Sequence, residues 1–473
     1  MQRRESRVSV SILVFFLALA LALGSPVLAQ LEPELAAGYK AGIVCSAVFH
    51  AGRELADVER DELGGGDPLA ASAGEATVDR EHRAVTVSYE GGEVPRLAVF
   101  LDGLGTVILP PGATLEDAAA VPRPAPVERS VSTVDPAVTS WPDGDVLPDE
   151  PLPPEIDRAR LDAALELAFT GEKYRPSKTL GVVVVYDGRI VAERYAPTWG
   201  IHAQYRSWSS AKSVTSALVG ILVKEGKLQV SDPAPIPEWQ DDGDPRRAIT
   251  IENLLHMSSG LESTGSSTPI TYWGGVDTAA EAARGALEVP PGTRWKYSNH
   301  DTLLLVRSMR VAIADDTAFL TFPRRALLDR IGMRHTFPET DPHGNFVLSS
   351  QMYTTPRDLA RLGLLYLNDG VWNGKRVLPE GWVAYTTKPA PARRIGVPPS
   401  SDWGYGAHFW LLGDDPRLPP DAFTTAGSRG QLSTIVPSRR LVVARMGLDP
   451  ASGGKWDQAE LVADVLAAIR VSE

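Results

Sequence analysis

The chain has 473 residues, 43% hydrophobic and 22% charged, so it can bury a sizeable core and is too long for one small module. A net charge of -12, with no basic run interleaved with aromatics, argues against nucleic acid as a partner. Cys45 is the only cysteine, so no intrachain disulfide can form even in an oxidising compartment.

Residues 1–29 are expected to be an export signal. Gln2-Arg3-Arg4 is a basic start, Val8 to Leu23 is mostly apolar, and Val27-Leu28-Ala29 is a small-residue cleavage pattern before Gln30. The apolar run is short for a membrane span, which needs about 20 residues. The protein is therefore expected to be exported, periplasmic or secreted, with no membrane span unless the signal stays uncleaved. Residues 30–120 are expected to form a small β-rich extension with strands at Ala84–Tyr89, Leu97–Leu101 and Thr106–Leu109. Prolines recur without period through residues 121–156, a linker or a strap across the main body. The main domain, 157–471, opens with a helix on Arg158, Leu161, Leu165 and Phe169, and Leu180 to Arg189 reads as a hairpin. It closes with a helix on Leu461, Val462, Val465, Leu466 and Ile469. Terminal helices with hairpin strands between them imply an α/β fold, an antiparallel sheet covered by helices, with a mainly helical insert from Leu218 to Leu348.

Three strings carry chemistry. In Ser209-Ser210-Ala211-Lys212 a serine and a lysine lie one turn apart at the start of a helix continued by Val214, Leu218, Ile221 and Leu222, with Gly226 as its C-terminal cap. An amine whose pKa is depressed can activate that hydroxyl, and a helix start offers N–H groups to a developing oxyanion. The second copy, Ser452-Gly453-Gly454-Lys455, reads as a flexible turn. Tyr297-Ser298-Asn299 follows the turn Pro290-Pro291-Gly292, and Asn299 or Asp301 is expected to cap a helix beginning near Leu303. The similar Tyr366-Leu367-Asn368 lies on an apolar run and reads as core. Ala426-Gly427-Ser428-Arg429-Gly430-Gln431 leads into a strand paired with Leu441 to Met446, and its glycines would admit a substrate to the backbone.

Together these strings resemble the class C β-lactamase-like serine hydrolases of the penicillin-recognising superfamily, closest in look to the carboxylesterase and 6-aminohexanoate-oligomer hydrolase branch. Ile249 to Leu261, Tyr353-Thr354-Thr355-Pro356-Arg357-Asp358 and Asp402-Trp403-Gly404-Tyr405-Gly406 extend the likeness from about Arg158 to Ile469. The resemblance implies Ser209 as nucleophile, Lys212 as base and Tyr297 as proton relay. Backbone N–H groups of Ser209 and Ser428, beside Gly427, would form the oxyanion hole, and Asn299 and Gln431 would orient a small-molecule ester or amide. No metal or organic cofactor is required. One departure matters. Thr425-Ala426-Gly427 stands where the family usually carries Lys-Thr-Gly or His-x-Gly, so the cation that reads a substrate carboxylate is missing, unless Arg429 supplies it.

Rival readings remain. There is no Gly-x-Ser-x-Gly elbow for a Ser-His-Asp hydrolase; His256 reads as structural, and His300, directly after Asn299, would border the cleft without being expected as a catalytic base. D-Ala-D-Ala carboxypeptidase or β-lactamase chemistry, and a non-catalytic envelope binding protein, are the alternatives.

Overall fold

The computed structural model describes residues 32–64, 67–123, 134–170, 173–174, 178–262, 267–392, 403–449 and 456–470. The expected export signal and the string Ser452 to Lys455 lie outside them.

The amino-terminal piece is a four-stranded antiparallel sheet crossed by a helix. Strands β1 (Ala73–Asp79), β2 (Ala84–Tyr89), β3 (Arg96–Leu101) and β4 (Gly105–Ile108) pair in chain order. The last three match the expected strands to within one residue. The Pro33–Phe49 helix and β1 were not expected, so the extension is α/β rather than simply β-rich. The helix shows no amphipathic stripe because both of its sides are covered. A side chain at Gly42 would strike Ile108 of β4, while Tyr39 packs edge-on against Trp273 with ring centroids 4.9 Å apart. β1, Ala-Gly-Glu-Ala-Thr-Val-Asp, is partly exposed along its length and carries no apolar alternation to reveal it.

β5 (Thr179–Tyr186) and β6 (Arg189–Tyr195) form the expected hairpin. Its two-residue turn, Asp187-Gly188, takes left-handed φ values of 49° and 81°, which suit the strand twist. β7 (Tyr205–Arg206), β8 (Phe337–Pro338) and β9 (Met352–Thr354) make a small sheet in the order β7-β9-β8, and β10 (Val371–Trp372) pairs with β11 (Lys375–Arg376). The main sheet adds β12 (Gly404–Tyr405), β13 (Trp410–Leu411), β14 (Phe423–Gly427), β15 (Gln431–Val436) and β16 (Leu441–Gly447). Its order is β12-β13-β14-β15-β16-β5-β6, antiparallel throughout.

Both faces of this sheet are buried, so its central strands are continuous apolar runs whose alternate side chains serve different cores. Val182, Val184 and Val443 meet Leu161, Leu165, Leu461 and Val465 of the helices Arg158–Thr170 and Gln458–Ala467. Val183, Val185 and Val442 face Leu359 and Leu362 of the Pro356–Leu367 helix and join the core that holds Val214 and Leu218. The helices Ala211–Lys224, Ile251–Leu255, Ser267–Trp273, Thr278–Ala283, Asn299–Ile313 and Asp316–Pro323 build the helical insert. Described residues of the Pro-rich stretch act as a strap. Arg361 donates to the carbonyl oxygens of Pro142 and Gly144 at 2.9 and 2.7 Å, and Arg357 to that of Asp145 at 2.8 Å.

Candidate active site

The turn that carries Ser209 is held on three sides. Upstream, β7 pairs with β9, and the Ser207 N–H donates to the Met352 carbonyl at 2.7 Å. Trp208 then adopts φ 49°, a costly conformation for a bulky side chain and one found disproportionately at functional sites. A 3-10 turn, Trp208–Ser210, feeds the Ala211–Lys224 helix, so Ser209 stands half-buried at the helix entrance. Gly226, at φ 70°, follows the helix end as expected. From the sheet side, Ser210 Oγ donates to the Gln431 carbonyl at 2.8 Å. Gly427 at the end of β14 presses on the same turn: a β-carbon there would collide with the Ser207 carbonyl and lie 3.1 Å from Ser210 N.

Lys212 is buried, 1% exposed, with its Nζ 3.4 Å from Ser209 Oγ. The amine donates to Asn299 Oδ1 at 2.7 Å and to the Ser349 carbonyl at 2.6 Å. Desolvation, with no carboxylate to oppose it, brings the Lys212 pKa down to about 7. A neutral amine has two hydrogens and one lone pair. The two carbonyl oxygens take the hydrogens, which leaves the lone pair for the Ser209 hydroxyl.

Tyr297 sits over this pair. Lys212 Nζ is 5.0 Å from its ring centroid. Desolvation, only partly offset by the neighbouring Ser209 side chain, pushes the Tyr297 pKa up to about 12. Two adjacent groups are thus driven apart, the amine toward its free base and the phenol toward its protonated form. Behind Tyr297 stands an aromatic wall. Trp410 stacks on it with centroids 5.6 Å apart, and Tyr405 meets it edge-on at 6.0 Å.

The remaining expected residues divide. Asn299 holds the lysine through its side-chain oxygen rather than standing free for substrate. It is also not the helix cap: Ser298 caps, accepting from the Asp301 N–H at 3.2 Å, and the helix begins at Asn299. Ser428 is exposed just beyond β14, beside Gly427. Gln431 departs from expectation. It is fully buried, its Nε2 donating to the carbonyls of Ser428, Arg429 and Gly447 at 3.3, 3.0 and 2.6 Å, so its amide organises backbone. Arg429 departs as well. Its guanidinium turns to the amino-terminal extension, bonding the Glu62 carbonyl at 2.8 Å and Asp67 Oδ2 at 2.9 Å. Thr425 is buried, with its hydroxyl accepting from the Ser433 N–H at 3.1 Å. Neither position presents a cation to the cleft. Tyr366 lies in the core, 1% exposed and packed on Phe409.

Some neighbours carried no sequence signal. The Ser349 carbonyl is a backbone group 137 residues from Lys212, and Tyr272 Oη lies 2.6 Å from Ser349 Oγ. Asp301 is buried beside the site; desolvation, opposed by hydrogen bonds from Ser259 and Ser298, raises its pKa to about 7. His408 Nδ1 donates to the Leu255 carbonyl at 2.8 Å, its Nε2 lies 3.0 Å from Thr302 Oγ1, and desolvation and nearby Lys212 lower its pKa to about 3. It is a neutral structural histidine. Among the described residues, potential metal-ligand atoms converge at Asp145, His202 and His335, within 4.8 Å of one another. Asp145 there already takes Arg361 at 2.9 Å and lies 3.6 Å from Arg357, cations that oppose a metal ion.

The beta-lactamase family profile matches residues 173–463, more than half of the chain and the whole stretch from β5 into the last helix. The chain belongs to the beta-lactamase family. Solved structures similar to it include a beta-lactamase-like protein of Bacteroides dorei (TM-score 0.55, 18% identity, 66% of this chain and 99% of that one). A family VIII carboxylesterase (TM-score 0.52, 17% identity, 67% and 97%) shares the fold too. So does a Bacillus anthracis protein provisionally named a 6-aminohexanoate-dimer hydrolase (TM-score 0.51, 22% identity, 62% and 78%). In sequence the chain is 22% identical to an uncharacterized protein of Alkalihalophilus pseudofirmus over 310 residues, 56% of this chain and 82% of the relative. These structural likenesses establish the beta-lactamase-like fold, and this family of hydrolases has esterase- and amidase-type members among its neighbours.

Proposed function

We propose that the chain is a serine hydrolase that cleaves neutral esters or amides through an acyl-enzyme on Ser209. The observation that carries this reading is the Lys212 amine: buried, without a carboxylate partner, 3.4 Å from Ser209 Oγ and titrating near 7. Ser209 Oγ attacks the carbonyl carbon while its proton passes to Lys212. The tetrahedral oxyanion is received by the backbone N–H groups of Ser209 and Ser428. As the intermediate collapses, the carbon–leaving-group bond breaks, and the proton returns through Tyr297 to the departing oxygen or nitrogen. A water then gives its proton back along the same route, attacks the acyl group and frees Ser209.

Substrate class follows from what lines the cleft. Thr425 and Arg429 offer no cation, and the wall of Tyr297, Trp410 and Tyr405 is aromatic, which favours uncharged, apolar groups over penicillins and D-alanyl peptides. The name of the carboxylesterase agrees with such chemistry, whereas a 6-aminohexanoate dimer carries a carboxylate that this cleft offers no cation at Thr425 or Arg429 to receive. Residues 1–29 would export the enzyme to the periplasm or medium. Among the described residues no helix is long and apolar enough to cross a membrane.

The test is Ser209→Ala on short p-nitrophenyl esters. Turnover should vanish with the fold intact, since at most a helix-entrance contact is lost, about 0.5–2 kcal/mol. Retained turnover would refute the site. A panel adding a chromogenic cephalosporin, a D-Ala-D-Ala peptide and a linear amide dimer tests the class, with ester turnover expected to exceed cephalosporin turnover.

A further inference from the structure

Arg429 lies in the turn joining β14 to β15 with φ 61°, where glycine or asparagine is the low-cost residue. Its side chain crosses to the amino-terminal extension and meets the Glu62 carbonyl and Asp67 in a nearly dry ion pair, the two side chains 10% and 1% exposed. Asp67 is itself fixed. Its Oδ2 also accepts from the Tyr39 hydroxyl at 2.9 Å, and its Oδ1 from the Leu69 N–H at 3.0 Å. Tyr39 belongs to the Pro33–Phe49 helix.

The same helix reaches the other side of the cleft. Arg206, three residues before Ser209, is buried, and its Nη2 lies 3.4 Å from both Ser46 Oγ and Glu339 Oε2. Ser46 Oγ donates to Glu339 Oε1 at 2.6 Å, and Glu339 accepts the Thr106 N–H of β4 at 3.3 Å. Buried charges held this way resist displacement, because any shift leaves one of them uncompensated. One helix therefore tethers both turns that face the substrate carbonyl.

We infer that the amino-terminal extension is a positioning part of the active site. Asp67 acts through Arg429, and Ser46 with Glu339 acts through Arg206, to fix the turns whose backbone N–H groups at Ser428 and Ser209 receive the oxyanion. The inference rests on the acyl-enzyme reading. Ser428 is exposed beyond the last ladder pair of β14, and its turn is held from two sides. From the domain it is held by Gln431, by Arg445 on the Gly430 carbonyl at 3.1 Å and by the Asp449 N–H on the Arg429 carbonyl at 3.2 Å. From the extension it is held by Glu62 and Asp67 through the Arg429 side chain. A donor displaced by an ångström loses much of its effect on the reacting carbonyl.

Asp67→Ala in the full chain tests this, with Tyr89→Phe as control. Tyr89→Phe removes another hydrogen bond of the extension, that to Glu34 at 3.0 Å, and leaves Arg429 anchored. Hydrogen exchange across β14, the turn and β15 is read together with ester kinetics. Asp67→Ala should speed exchange at the turn and lower kcat about tenfold or more while KM changes less than about twofold, a split that general loosening does not produce. Tyr89→Phe should change neither. If Asp67→Ala fails to fold, Arg429→Lys, which keeps the charge but loses the two-pronged contact, should give the same pattern. Unchanged exchange at the turn, or unchanged kcat with faster exchange, overturns the inference. A wild-type chain that neither turns over ester nor reacts with a fluorophosphonate sinks the acyl-enzyme reading instead, and exchange still decides whether the extension holds the turn.

Discussion

At the residue scale, the proposed function depends on an amine made weakly basic by burial. Lys212 should show a cost in stability that matches its use. Its folded pKa, about 7, lies below the ordinary 10.5, so between these values the unfolded chain binds the extra proton and stability rises with pH. The penalty is therefore largest below pH 7. Lys212→Met should be inactive yet melt higher than wild type, with the gap greatest at low pH; a gap that widened as pH rose would contradict the assignment. Asp301 titrates in the same range but makes its hydrogen bonds to Ser259 and Ser298 rather than to Ser209. The acid limb of kcat/KM should accordingly survive Asp301→Asn, and its loss there would move the base from Lys212 to Asp301. Tyr297→Phe should cost about 10²–10⁴-fold in kcat, the usual contribution of a proton-transfer group, whereas Tyr366→Phe, in the core, should cost little kcat. Equal losses would mean that the wrong Tyr-x-Asn string was chosen.

At the element scale, the nucleophile turn and the end of β14 are one assembly, joined by Ser210 to Gln431 and by the close approach at Gly427. Gly427→Ala should fold but lose most turnover, because its methyl must push the strand off the turn; wild-type kinetics would show that the contact does not matter. Much of this assembly was legible. An i, i+3 serine and lysine share a helix face whatever surrounds them, and glycine in a strand signals a close neighbour. The partners of Gln431 and Arg429 were not legible. Both side chains are spent on groups chosen by tertiary packing, and Arg429 meets Asp67 across 362 positions of sequence. Ser298 rather than Asn299 caps the next helix, which leaves the Asn299 side chain to take the Lys212 amine, a division that two neighbouring cap-forming residues do not reveal in sequence. The Pro33–Phe49 helix was hidden because burial on both sides erases the periodicity by which a helix is read.

At the scale of the whole molecule, the extension, the strap and the hydrolase domain share buried charge. Arg206, Glu339 and Ser46 join three distant segments, with Arg206 and Glu339 each 1% exposed in their side chains. Glu339→Ala should destabilise the protein by about 3–5 kcal/mol, read as a lowered Tm, because it leaves a guanidinium buried without its counter-ion. A change within experimental error would mean that the Arg206–Glu339 pair adds nothing to the docking of the extension, which would then rest on its other contacts, Arg429 to Asp67 among them. The domain that resembles other hydrolases was recognisable from ordered motifs between Ser209 and Gln431, whereas the positioning role inferred for the extension rests on where the polar groups of its described residues, from Glu32 on, end.

The central claim is that Ser209 is the nucleophile and that a neutral Lys212 activates it. The most direct measurement is the pH dependence of fluorophosphonate inactivation, with the adduct located by peptide mass. The account predicts one adduct, on Ser209, formed at a rate that rises with pH through a midpoint near 7 and then levels off as Lys212 loses its proton. An adduct on any other residue, or a rate that stays flat through pH 7, would contradict it.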